Sequence, residues 1–85
     1  MNDVLIDGHA LIHGLDEVDI RYAWGNFAVR RMRRGGDVWV SIGFSARGVE
    51  IEMVVLELFD GSMLVIHALS PAMEKIKREL GLGRR

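Results

Sequence analysis

The sequence predicts an α+β domain: short helices first, then an antiparallel meander of about four strands, then one closing helix. Three observations predict it. Apolar residues before Asn26 recur at helical spacing, the period drops to two between Phe27 and Leu69, and Ser70-Pro71 reopens a helical stripe. The chain has 85 residues, which is the length of one domain, residues 1–85. A chain this short buries little more than ~60% of its unfolded surface, so its margin is thin. Cys is absent and 49% of residues are hydrophobic, so the core must do the work of a disulfide or a Cys/His metal cluster.

Val4-Leu5-Ile6 reads as a short first strand, and Asp7 as the cap of a short helix through about Ile12, ended by Gly14. The next helix opens at Asp16 as N-cap, with Asp19 at the third position and Leu15 and Ile20 placed for a hydrophobic staple. Leu15, Val18 and Tyr22 share one of its faces, while Ile20 and Trp24 point to roughly the opposite one. One face packs on the sheet, which leaves Ile20 and Trp24 as candidates to meet a partner chain or a second copy.

Phe27 to Arg33 alternates weakly before the turn Gly35-Gly36-Asp37. Val38, Val40, Ile42 and Phe44 alternate cleanly with Trp39, Ser41 and Gly43, as in a half-buried strand. Arg47-Gly48 turns the chain into a long strand from Val49 to Phe59, apolar on both faces in its second half. Asp60-Gly61 marks a hairpin into the last strand, Met63 to Leu69. Ser70 as cap and Pro71 at the first helical position then open a helix to about Leu80. Ala72, Met73, Ile76 and Leu80 form its stripe, Glu74–Arg78 and Lys75–Glu79 its i,i+4 pairs, and Gly81-Leu82 its stop.

The net charge is −1, but the charges are segregated. Asp3, Asp7, Asp16, Glu17 and Asp19 precede any base, whereas Arg21, Arg30, Arg31, Arg33, Arg34 and Arg47 share the next stretch with Asp37 alone. Such a balance argues against indiscriminate nucleic-acid binding and leaves room for a local basic patch. Apolar runs reach only four residues, as in Met53 to Leu56, so neither a signal peptide nor a membrane-spanning helix is expected.

Several fixed letters on this frame resemble one family. His9-Ala10 precedes His13-Gly14-Leu15, Asp16-Glu17-Val18 opens a helix, and Ala23-Trp24-Gly25-Asn26 closes it. Ile42-Gly43, Arg47-Gly48 and Ile66-His67-Ala68 before a Pro follow in order. Across nearly the whole chain this pattern is similar to the BrnT-type branch of the RelE-like bacterial toxins. The resemblance implies a RelE-like fold and a cytoplasmic, metal-independent endoribonuclease acting on mRNA. It also implies a cognate antitoxin encoded nearby as protein partner, and no cofactor. Such toxins usually carry an Arg where Leu69 stands here. The alternative is therefore a non-catalytic protein-binding or assembly module of the same fold, including a homodimer.

Cleaving RNA without a metal requires a base for the 2′-hydroxyl, positive charge at the phosphate and an acid for the leaving 5′-oxygen. His67, near the end of the last strand, followed by Lys75 and Arg78 on the closing helix, is the candidate catalytic group, with Arg47 in its turn as a further cation. On alternation His67 shares a face with Val65 and Leu69, where the plainer role is a part-buried histidine satisfied by backbone. Arg30, Arg31, Arg33 and Arg34 are the candidate RNA-phosphate contacts; as a strand they would point two to each face, which demands a sheet edge. Edge protection or docking of an acidic antitoxin segment accounts for them equally. Glu50 and Glu52 share one strand face and include a candidate general base, or else pair across strands. His9 and His13 have metal-clamp spacing without a third ligand nearby, so no metal is assigned. Trp24 and Trp39 are candidates for stacking on bases or for burial.

Overall fold

The architecture follows from β-branched and aromatic residues alternating along four consecutive strands. In the computed structural model, which describes residues 4–82, these are β2 (Phe27–Met32), β3 (Val38–Phe44), β4 (Glu50–Glu57) and β5 (Met63–Leu69). Each pairs antiparallel with the next. The first strand, β1 (Val4–Ile6), adds to β5 in parallel and completes a five-stranded sheet of order β1-β5-β4-β3-β2. A single 3-10 turn, Gly8–Leu11, and helix α1 (Glu17–Gly25) follow β1, and helix α2 (Glu74–Glu79) closes the chain. The expected α+β class is the observed one, with β1 adding a parallel strand beside the four-stranded meander.

The two helices lie on opposite faces. Strand alternation sends Ile51, Met53 and Val55 of β4 to one side, where they meet Val65, Ala68, Ile20, Ala23 and Trp24. Val40 and Ile42 of β3 meet Ala72, Ile76 and Leu80 on the other side. Each helix thus covers one apolar face of the central strands β3 and β4. Ile20 is 0% and Trp24 6% exposed, so the partner-facing role expected of them is corrected: they are the buried stripe of α1. The exposed stripe is Val18 and Tyr22. Asp16 is the N-cap by position, but its side chain makes no cap bond. Arg21 instead ties α1 to β1 by donating to the Val4 carbonyl, and pairs with Glu17.

α2 is shorter at its start than the stripe of 71–80 suggests. Its N-cap is Met73, not Ser70, and Pro71 lies outside the helix. Met73 itself is extended (φ −74°, ψ 151°), and the backbone N–H groups of Ala72 and Met73 are held by carboxylates from β4. Its C-terminus behaves as expected. Gly81 takes φ +82°, and the N–H groups of Gly81 and Leu82 return to the carbonyls of Arg78 and Lys77, satisfying two carbonyls that the helix leaves unpaired.

Gly43 explains how closely α1 lies on the sheet. A Cβ at this position would stand 2.1 Å from the Ala23 carbonyl oxygen, in contact with helix backbone that no rotamer change can move. Gly43→Ala must push α1 off β3, which costs about 1–3 kcal/mol as overpacking does. Urea unfolding of this variant measures the loss, and an unchanged midpoint would contradict the close approach.

Candidate functional site

Glu50 and Glu52 lie on the face of β4 that α2 covers, in a position where the adjoining side chains are apolar. Burying a carboxylate there is costly unless each of its oxygens finds a donor. Glu52 is 1% exposed and meets this condition. Its Oε1 accepts the Met73 N–H at 2.7 Å, and its Oε2 lies 2.7 Å from the Nε2 of His67 on the neighbouring strand. Glu50, at the rim, accepts the Ala72 N–H at 3.0 Å and pairs with Lys77 at 3.6 Å.

His67 reaches Glu52 because the β4–β5 ladder slips. Val54 stands opposite His67, yet Val55 stands opposite Val65, so Ile66 is an extra residue on β5. The slip turns His67 and Leu69 to the α2 side while Val65 stays in the α1-side core. His67 therefore does not share a face with Val65, and its partner is a carboxylate rather than a backbone group.

A second imidazole completes the cluster. β1 covers only Met63 to Val65 of β5, and the 3-10 turn after it packs beside the rest of that strand. Asp7 caps this turn as expected, accepting the His9 N–H at 3.0 Å. His13 follows and presents its ring edge-on to His67, with centroids 5.7 Å apart. Three chemistry-bearing side chains from distant parts of the chain thus meet: an exposed imidazole, a part-buried imidazole and a buried carboxylate that orients it. Among the described residues, no group of three or more His, Asp or Glu side chains is arranged to hold a metal ion.

The other candidate residues are placed elsewhere. Arg47 lies in the β3–β4 turn and pairs with Asp19 of α1 at 3.4 Å. Lys75 and Arg78 are exposed on the outer side of α2, away from its buried Ile76. The helix cation that reaches β4 is Lys77, which pairs with Glu50 and with Glu74 of its own helix. Arg30 and Arg31 do occupy a sheet edge, since β2 ends the strand order, and Arg33 and Arg34 directly follow it. They do not divide two to each face. Arg30 lies on the α1 side over the rings of Phe27 and Trp24, 4.1 and 4.5 Å from their centroids, with Trp39 at 5.3 Å. Arg31 and Arg33 lie on the α2 side, and Arg34 is in the turn. Arg33 grips Glu79 of α2 with two bonds of 2.8 and 3.0 Å. This bidentate bond holds the Glu79 carboxyl below its ordinary range and raises the Arg33 guanidinium in return. Trp24 is core, and the indole N–H of Trp39 donates to Glu57 at 3.1 Å.

Sequence reasoning singled out His67 but missed what gathers around it. A visible signal was Glu52, a carboxylate in the middle of an otherwise apolar strand. The approach of His13 has no local signal, because it depends on β1 pairing with β5. Comparison with protein-family models, with curated proteins and with solved structures finds no match to this chain.

Glu52→Ala strands both the Met73 N–H and the His67 ring. Each unsatisfied group costs about 1–3 kcal/mol, so unfolding experiments should show a loss in that range or above it. Glu52→Gln keeps an acceptor for Met73 and should lose less. Equal stability of Glu52→Ala and the unaltered protein would remove the carboxylate from its holding role.

Proposed function

We propose that this protein is a small endoribonuclease that cleaves RNA without a metal, with His13 and His67 as its acid–base pair. The observation that carries the reading is the meeting of these two imidazoles beside a buried carboxylate. Both histidines belong to the short motifs through which the sequence resembles BrnT-type toxins. The same resemblance supports a RelE-like assignment for the fold, a cytoplasmic location and silencing by an antitoxin encoded nearby.

In this mechanism exposed His13 takes the proton of the 2′-hydroxyl, and the 2′-oxygen attacks the adjacent phosphorus. The bond from phosphorus to the 5′-oxygen breaks as His67 gives that oxygen a proton. The products are a 2′,3′-cyclic phosphate and a 5′-hydroxyl end. Glu52 is a positioning residue: with Nε2 bonded to the carboxylate, Nδ1 is the ring nitrogen left to exchange the proton. Lys77, already beside Glu50, is the cation placed to balance charge near the site.

A second reading has its own observation. Both oxygens of Glu52 serve bonds that hold the fold together, so His67 also suits a purely structural latch in a non-catalytic binding module. Cleavage assays on RNA, with and without ribosomes, separate the two. The nuclease reading predicts that His13→Asn lowers the cleavage rate by ~10²–10⁴ with little change in thermal midpoint, and that His67→Gln lowers it as much, beyond what any fall in its midpoint explains. If the unaltered protein, freed from any partner, cuts no RNA under either condition, the binding module replaces the nuclease.

A further inference from the structure

The β2 edge carries charge and hydrogen-bonding groups that the fold does not consume. Arg33 donates its N–H to the Val38 carbonyl at 2.7 Å, which makes this pair a hydrogen-bonded one in the β2–β3 ladder. Antiparallel alternation then makes Arg31–Val40 bonded as well and turns the N–H and C=O of Arg30 and Met32 outward. Among the described residues, nothing pairs with these outward groups. On the flanking surface, Arg31, Arg33 and Lys75 all act on one carboxylate, Glu79. Only Arg33 forms an ion pair with it, and Arg34 lies exposed in the adjoining turn.

We propose that this edge accepts an extended acidic segment of a partner protein as a sixth strand, with Arg31 and Arg34 taking its carboxylates. The backbone of Arg30 and Met32 offers alternating donors and acceptors, which a peptide strand matches group for group. An RNA backbone presents mainly acceptors, so it would leave the outward carbonyls unpaired. A second copy of this chain fits poorly, because antiparallel pairing of two β2 strands sets arginine against arginine. The fixed side chains on either side, Arg30 on its aromatic rings and Arg33 on Glu79, hold the edge in shape before anything binds. The inference rests on the sheet edge alone and is independent of the histidine site.

The test uses the full chain and a labelled, end-blocked peptide of alternating Val and Glu. Controls are the same peptide with Lys for Glu, a version N-methylated at consecutive amides so that neither strand edge can donate, and a single-stranded oligouridylate. Fluorescence anisotropy should show binding of the Glu peptide alone, weakened roughly tenfold by R31E combined with R34E. Hydrogen exchange at the Arg30 and Met32 amides should slow when the peptide binds. Equal binding of the Lys or the N-methylated peptide overturns the proposal, and so does absence of binding by the Glu peptide. Displacement of the Glu peptide by tighter-binding oligouridylate, with those two amides still exchanging freely, assigns the edge to RNA instead. The N-methylated ligand alters no protein residue, so its outcome does not depend on how well the double variant folds.

Discussion

A carboxylate buried in the middle of a sheet face sets the terms for much of what surrounds it. Glu52 occupies a site where the alternation of β4 would otherwise place an apolar residue under α2. Its charge is accommodated only because one oxygen takes the Met73 N–H and the other takes His67. Those two bonds fix the chain on both sides: the segment leading into α2 is held extended, and the last strand is pinned after its bulge. Glu50 repeats the arrangement at the rim, with Ala72 and Lys77. Helix α2 has only six residues, too few to be stable alone, so its position depends on these remote carboxylates and on burial of Ile76 and its neighbours.

The arginines in and just after β2 show the same economy at the opposite edge. Arg30 spreads over three aromatic rings on the α1 side, and Arg33 clamps Glu79 on the α2 side. One strand and the residue after it therefore help to fasten both layers of the molecule. What remains, Arg31, Arg34 and an unpaired strand edge, is surface that the fold does not use. The histidine cluster and the basic edge lie at different strands, β5 and β2, with β4 and β3 between them.

Much of the fold was legible in the residues. Two strands fall at the expected bounds, 38–44 and 63–69, the first because it alternates and both because a Gly-bearing turn precedes them. The end of α2 was legible through Gly81-Leu82. Its beginning was not: Ser70-Pro71 carries a good local start signal, but Met73 is still extended, in a segment bonded to residues some twenty positions earlier. The faces of α1 show a similar limit. Its apolar residues fall on two sides, and only tertiary packing decides that Ile20 and Trp24 go inward while Val18 and Tyr22 stay out. For the site, residue type pointed to His67, whereas its true face depends on a one-residue slip that no periodicity reveals.

The central claim is that the Glu52 carboxylate fixes the His67 ring by accepting a hydrogen bond from Nε2–H. Nitrogen-15 NMR of the imidazole reads this directly, since the two ring nitrogens shift differently when protonated. At a pH where His67 is neutral, the account predicts the Nε2–H tautomer in the unaltered protein, with that preference lost in Glu52→Ala. Dominance of the Nδ1–H tautomer in the unaltered protein would set two lone pairs against each other and contradict the claim.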